Sequence, residues 1–259
     1  GKESSSNVTT GGHNVSVGRM ALRETTTGSN NTALGRSALE QNTTASNNTA
    51  VGYQAGNNVT TGTQNTLIGG LAGDAITTAD DNVAVGYSAL SANTTGGNLT
   101  AVGKGALAAN TTANDNTGIG LRALGAATTG ASNTAVGRDA GLSVTTGANN
   151  TIVGSFAGDA VTTGSDNVAL GYNSLSAGVA SFYNTAIGKD ALASDTTGRH
   201  SVAIGRDALT AQNNTSSDDM YNVAVGSNAG AAVTTGILNT LIGGLAGDSL
   251  TLGNENVAV

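Results

Sequence analysis

A glycine recurs every seventeen residues through this chain, and no other property of the sequence restricts the fold as strongly. Gly18, Gly35, Gly52, Gly69, Gly86, Gly103, Gly120, Gly137, Gly154, Gly171, Gly188 and Gly205 keep that step; a step of twenty-one then leads to Gly226, and seventeen resumes to Gly243. Such a period belongs to a solenoid, in which each turn of chain lies on the one before and equivalent residues meet equivalent surroundings. The residues before each glycine repeat with it, as in Asn133-Thr134-Ala135-Val136-Gly137. Asn stands four places ahead in thirteen of fifteen copies, Leu99 and Ser201 being the exceptions, and Val, Ile or Leu stands directly ahead in all of them. Thr or Val three places ahead completes an alternation that reads as a short strand with one face buried. The glycine then marks a bend or a close backbone approach.

Beyond the glycine the pattern continues. Ala stands three places on in thirteen of fourteen copies, Ser174 being the exception, so only a small side chain fits there. The next position is either Leu or Gly. Copies with Leu (22, 39, 90, 107, 124, 175, 192 and 209) carry no large aliphatic three residues later, whereas Gly56, Gly73, Gly141, Gly158, Gly230 and Gly247 are followed at that distance by Val59, Ile76, Val144, Val161, Val233 and Leu250. A close-packed interior fills each volume once, so the two positions are expected to share one space. Thr-Thr and then Gly or Ala follow, which suggests a second short strand and a turn in each copy. The phrase Ala72-Gly73-Asp74 returns as Ala157-Gly158-Asp159 and Ala246-Gly247-Asp248, consistent with duplication of a block of five copies.

These patterns predict an all-β chain, a parallel β-solenoid or β-roll of about fourteen seventeen-residue rungs. Residues 1–13 read as a polar lead-in, and 14–259 as one continuous array with an insertion loop at about 213–219. The chain opens on Gly1 without a methionine and stops where the next glycine is due, which suggests a piece of a longer array. With 3 % aromatic residues, no Trp and 39 Gly, a core of large side chains is not available. Packing between neighbouring copies of the chain is the expected remedy. The net charge of −7 and ten scattered Lys and Arg argue against a nucleic-acid partner, which needs a basic stripe. Cys is absent, so neither disulfides nor thiolate metal sites are available. No apolar run is long enough for a membrane span, and the first residues lack a signal-peptide pattern.

The phrase Ser201-Val202-Ala203-Ile204-Gly205 resembles the head repeat of trimeric autotransporter adhesins, which form parallel β-rolls associated as homotrimers. The wider pattern, such as Asn48-Thr49-Ala50-Val51-Gly52-Tyr53-Gln54-Ala55-Gly56, is similar to repeats of phage and phage-like tail-fibre proteins over nearly the whole chain. The resemblance implies a trimeric, extended fibre, extracellular or carried on a virion, that contacts a cell-surface receptor or glycan through a region outside this stretch.

No nucleophile with a base and no spaced carboxylate pair stands out, so no enzymatic activity and no cofactor are expected. His13 and His200 each occur once beside the strand phrase and read as surface residues. Asp74, Asp159 and Asp248, with the pairs Asp80-Asp81 and Asp218-Asp219, raise the question of calcium, which wants six to eight oxygens. The Asp-rich nonapeptide of calcium-binding rolls is absent, and these carboxylates read as solvated loop residues. The Thr-Thr pairs raise that of ice binding, but adjacent residues of a strand point to opposite sides. Tyr53, Tyr87 and Tyr172 share a position with Arg36, Arg138, Lys189 and Arg206, so that position faces water. Together with Asp218, Asp219 and Tyr221 beside the insertion they are the candidate surface contacts. Twelve Asn-x-Ser/Thr sequons follow from an Asn- and Thr-rich repeat, and glycans would be possible where the host has the machinery. The function expected is that of a non-enzymatic shaft holding an adhesive tip. The head of an adhesin that binds matrix or glycan through its repeats, and an ice-binding solenoid, are the alternatives.

Overall fold

A computed structural model describes residues 1–214 and 219–259. It is a parallel β-solenoid of about fourteen turns, and among the described residues every regular element is a strand. Two compact units divide the chain, Gly1–Thr129 and Gly130–Val259. The first holds seven strands, from β1 (Val15–Val17) to β7 (Thr117–Ile119); the second holds eight, from β8 (Thr134–Val136) to β15 (Val257–Ala258). Within each unit the strands pair in parallel, in chain order and in register by repeat position, as in Thr49↔Thr66, Ala50↔Leu67 and Val51↔Ile68. The four extra residues of the long step leave the register intact, with Val202↔Val223 and Ile204↔Val225.

Among the described residues each turn carries one strand and not two. The Thr-Thr segment forms no ladder, because the amides of Thr60, Thr61 and Gly62 all converge on the Thr77 carbonyl, at 2.9, 3.3 and 3.3 Å. The first threonine adds its own hydroxyl to that acceptor, Thr60 Oγ1 donating at 3.1 Å, and Thr26, Thr43, Thr77 and Thr145 do the same to the turn ahead. A strand would spread its amides over successive carbonyls. Here they gather on one, and the backbone bends.

Residues 1–13 also follow the turn. Gly1 lies seventeen residues before Gly18, Ser5 N donates to Ala21 O at 3.0 Å and Thr9 N to Thr26 O at 2.9 Å, as later turns do. Ser5, where other turns have Leu or Gly, bonds Ser16 Oγ at 2.7 Å in place of aliphatic packing. The polar side chains hide a repeat that the backbone keeps.

The interior is built from small residues with a few large ones between them. Ala21, Ala38, Ala55, Ala140 and Ala157 are fully buried, as only a methyl group fits. The Leu-or-Gly position has φ near +50° in both versions, for example 51° at Leu22 and 58° at Gly56. Backbone conformation therefore does not demand the glycine there; volume does. A Cβ on Gly73 would lie 2.8 Å from both Ile76 Cδ1 and Leu67 Cδ2, and one on Gly56 would lie 2.7 Å from Leu67 Cδ1. The shared space thus has a third claimant, the middle residue of the strand. That residue is Ala in most turns and large only at Leu67, Ile152 and Leu241, each flanked by two turns of the glycine type. Gly158→Leu, whose Cβ would already lie 3.2 Å from Ile152 Cδ1, should lower stability by about 1–3 kcal/mol in urea unfolding. Adding Ile152→Ala should recover part of it.

Candidate functional site

Three features depart from what the repeat needs for folding. The first is the outward face of the sheet. Strand residues alternate, so the middle one points inward and its two neighbours outward. The outward file next to the glycine is aliphatic in every turn and carries no charge; Val17 is 53 %, Leu34 46 %, Ile68 38 % and Leu170 43 % exposed. The parallel file two residues earlier mixes Thr with Val, Thr in nine turns and Val in six, as in Thr49, Thr66 and Val83 in the first unit and Thr151, Val168 and Thr185 in the second. An antiparallel or parallel sheet face turned to water ordinarily carries polar or charged residues.

The second surface is aromatic and lies in the second unit. Tyr183, His200 and Tyr221 occupy the same corner of three consecutive turns and stack, with ring centroids 4.9 Å apart at 9° and 5.1 Å apart at 13°. Asp219 closes the group: Tyr221 Oη donates to Asp219 Oδ2 at 3.2 Å, and His200 Nε2 lies 3.6 Å from Asp219 Oδ1. Beside them the Arg199 guanidinium stands over the Phe182 ring at 5.0 Å, and its buried Nε has no hydrogen-bond partner. Phe182, Arg199 and Asp219 are joined by isolated parallel bridges. The negative charge of Asp219 raises the Tyr221 hydroxyl above the usual tyrosine range.

Of the residues expected to make surface contacts, Asp219 and Tyr221 come together in this group. Asp218, and most of the expected insertion loop, lie outside the described residues. Tyr53, Tyr87 and Tyr172 are exposed but separate: Arg36 covers the Tyr53 ring at 5.7 Å, and Phe156 meets Tyr172 edge-on at 6.0 Å under Arg138. Sequence reasoning missed Phe182, Tyr183 and Arg199, and took His200 for an ordinary surface residue. The signal was available five places before the glycine, where Asn30, Asn47, Asp81, Asn98, Asn149 and Asp166 give way to three rings.

The third departure is internal and lies in the same turns. In most turns the recurrent Asn forms a buried ladder, which Leu99 also interrupts: Asn65 Nδ2 donates to Asn48 Oδ1 at 3.1 Å and to Ala79 O at 2.9 Å, while Asn65 Oδ1 accepts from the amide and side chain of Asn82 at 3.2 and 3.0 Å. Where Ser201 replaces Asn, Gln212 fills in. Its Nε2 donates to Ser201 Oγ at 3.0 Å and to Asp195 Oδ2 at 2.6 Å, and its Oε1 accepts from Asn222 Nδ2 at 2.9 Å. Asp195 is fully buried, and burial raises its carboxyl above the usual range despite the donors from Gln212 and Gly198. A carboxyl raised on folding contributes no penalty below its unfolded value; stability is lost as the pH climbs through the folded one. Asp195→Asn has a precedent at Asn93, which sits at the equivalent position and bonds Gly96 through both side-chain atoms. The variant should therefore melt above the parent at pH 8, with the gap closing toward pH 4 in a calorimetric series.

Burial likewise raises Asp74 and Asp159, which lie at equivalent positions of different turns. Among the described residues no three His, Cys, Asp or Glu side chains converge as metal ligands, and no helix is long and apolar enough to cross a membrane. Comparison with protein-family models, with curated proteins and with solved structures finds no match to this chain.

Proposed function

We infer that the chain is a non-enzymatic structural segment of an extracellular fibre, a virion tail fibre or a comparable surface appendage, and that it associates with copies of itself as a homotrimer. The observation that carries this reading is the outward file of Val, Ile and Leu, unbroken and uncharged through each unit. Apolar surface of that extent on a soluble chain marks a place where something packs. A partner must meet one aliphatic residue per turn, so it needs the same spacing along its own length. A second copy of the chain has that spacing by construction, and closed symmetry among identical chains is the ordinary outcome. Held in this way, the turns serve as a spacer that presents an adhesive region carried elsewhere. Sedimentation equilibrium tests the reading: a mass of three chains is expected, and a stable monomer at micromolar concentration defeats it.

A second reading, an ice-binding solenoid, is favoured by one feature of the same face. Two residues before the aliphatic file and on the same side of the sheet, the outward position is Thr in nine turns and Val in six, a regular array of hydroxyl and methyl groups on one face. Thermal hysteresis of the purified chain separates the two, since a face closed by self-association leaves none.

A further inference from the structure

We propose that the corner formed by Tyr183, His200 and Tyr221, with Phe182, Arg199 and Asp219, is a binding site for a short neutral saccharide. The repeat itself supplies the argument. This corner has φ near +60° in every turn, a conformation that Asn and Asp tolerate and bulky residues disfavour, and Asn or Asp fills it in most other turns. Three consecutive turns place rings there instead, with φ of 59°, 58° and 49°. Other turns carry His13, Gln64, Ser132, Leu238 or Glu255 at this corner, but rings in adjacent turns occur at one place, and places where local preference is given up together are where function concentrates. The same turns lose the Asn ladder at Ser201 and bury Asp195, so the departure reaches the core behind the rings.

The chemistry narrows the ligand. Tyr183 and Tyr221 are 54 % and 49 % exposed, and the rings spend their faces on one another. What they present outward is a row of ring edges ending in phenol and imidazole groups, one per turn. Beside that row stand the Asp219 carboxylate and the Arg199 guanidinium, whose Nε is buried against the Phe182 ring. Hydroxyls arrayed on a largely C–H surface match this combination: the carboxylate accepts from them, the phenols donate to them, and the aromatic rims shield the C–H patch from water. The positive Arg199 and negative Asp219 cancel, which gives no preference for an anionic sugar. Two inter-turn steps, of 4.9 and 5.1 Å, set the length of the row. A stable protein interface needs about 800 Å² per partner, far more than this row offers. Two or three sugar units fit it. All six residues belong to one chain.

Saturation-transfer NMR, with titration calorimetry, provides the test. The probes are neutral trisaccharides of β-linked glucose, mannose and N-acetylglucosamine, set against sialylated and sulfated trisaccharides. At least one neutral probe should bind, and Tyr183→Asn with Tyr221→Asn should weaken it at least tenfold while Tyr53→Asn with Tyr87→Asn leaves it unchanged. Asn is ordinary at this corner, so the double variant retains the turn, and an unaltered melting curve verifies that. The proposal is overturned if no neutral probe binds, if only the anionic probes bind, or if binding survives the double variant.

Discussion

Gly86→Ala should cost the first unit more than about 3 kcal/mol, although it adds a single methyl group. Two independent obstacles meet at this residue. Its φ is +139°, in a region that side-chain-bearing residues avoid, and a Cβ there would lie 2.6 Å from the carbonyl carbon and oxygen of Gly103 in the next turn. Neither atom can swing aside as a side chain would, because both belong to backbone held by its own hydrogen bonds. The turn must separate from its neighbour, and in an array held by nearest-neighbour contacts that separation weakens both sides. Gly70→Ala is the control: the nearest atom to its Cβ is Tyr87 Cδ2 at 3.5 Å, and a change within about 0.5 kcal/mol is expected. Urea unfolding of the two variants side by side measures the difference. Equal midpoints would mean that the ladder glycines are not required by close approach.

Asn65→Ala should be nearly as damaging, at about 3 kcal/mol or more. The substitution takes the acceptor from two donors of Asn82 and the donor from the carbonyls of Thr63 and Ala79, all in or beside the buried interior. Each group left bare costs about 1–3 kcal/mol. Leu99 sets the limit on this argument, since a turn without Asn exists. There, however, Leu99 N still reaches Asn82 Oδ1 at 3.0 Å, and Asn110 Nδ2 in the interior donates to Ala113 O, the carbonyl an Asn at 99 would serve, at 3.1 Å. Around Asn65 the equivalent interior residues are Val59 and Ile76, which cannot substitute. Asn58→Ala, which removes only an exposed bond from Gln41 Nε2 at a position of ordinary backbone conformation, should fall within about 0.5 kcal/mol. If Asn65→Ala unfolds at the same denaturant concentration as Asn58→Ala, the ladder is not a source of stability.

The strand, the ladder glycine and the buried Ala were legible in the sequence because each is a demand of backbone spacing, repeated in every turn. The Leu-or-Gly exchange was legible as a shared volume, but its third member was not: Leu67, Ile152 and Leu241 precede the exchange position by six residues, and only the stacking of turns brings them together. The Asn recurrence was visible without its meaning. A polar residue beside a strand reads as a turn former, and nothing in one dimension says that its side chain faces its own equivalents. The second strand was misjudged for a related reason, since Thr favours strands and only the hydrogen bonds reveal three amides on one carbonyl. The aromatic corner was hidden by the opposite effect. His200 was judged alone, as one histidine among fifteen copies, when its neighbours in space are seventeen residues before it and twenty-one after.

The grouping of Leu67 with Gly56 and Gly73, repeated at Ile152 and Leu241, limits how a gene of this kind can grow or shrink. Slippage during replication readily drops or doubles one seventeen-residue module, yet a single module lost beside Leu67 leaves a glycine facing an empty space or a leucine facing another. Exchange in steps of five modules keeps every large residue opposite its gaps. Length variants of this protein that survive selection should therefore differ by whole blocks.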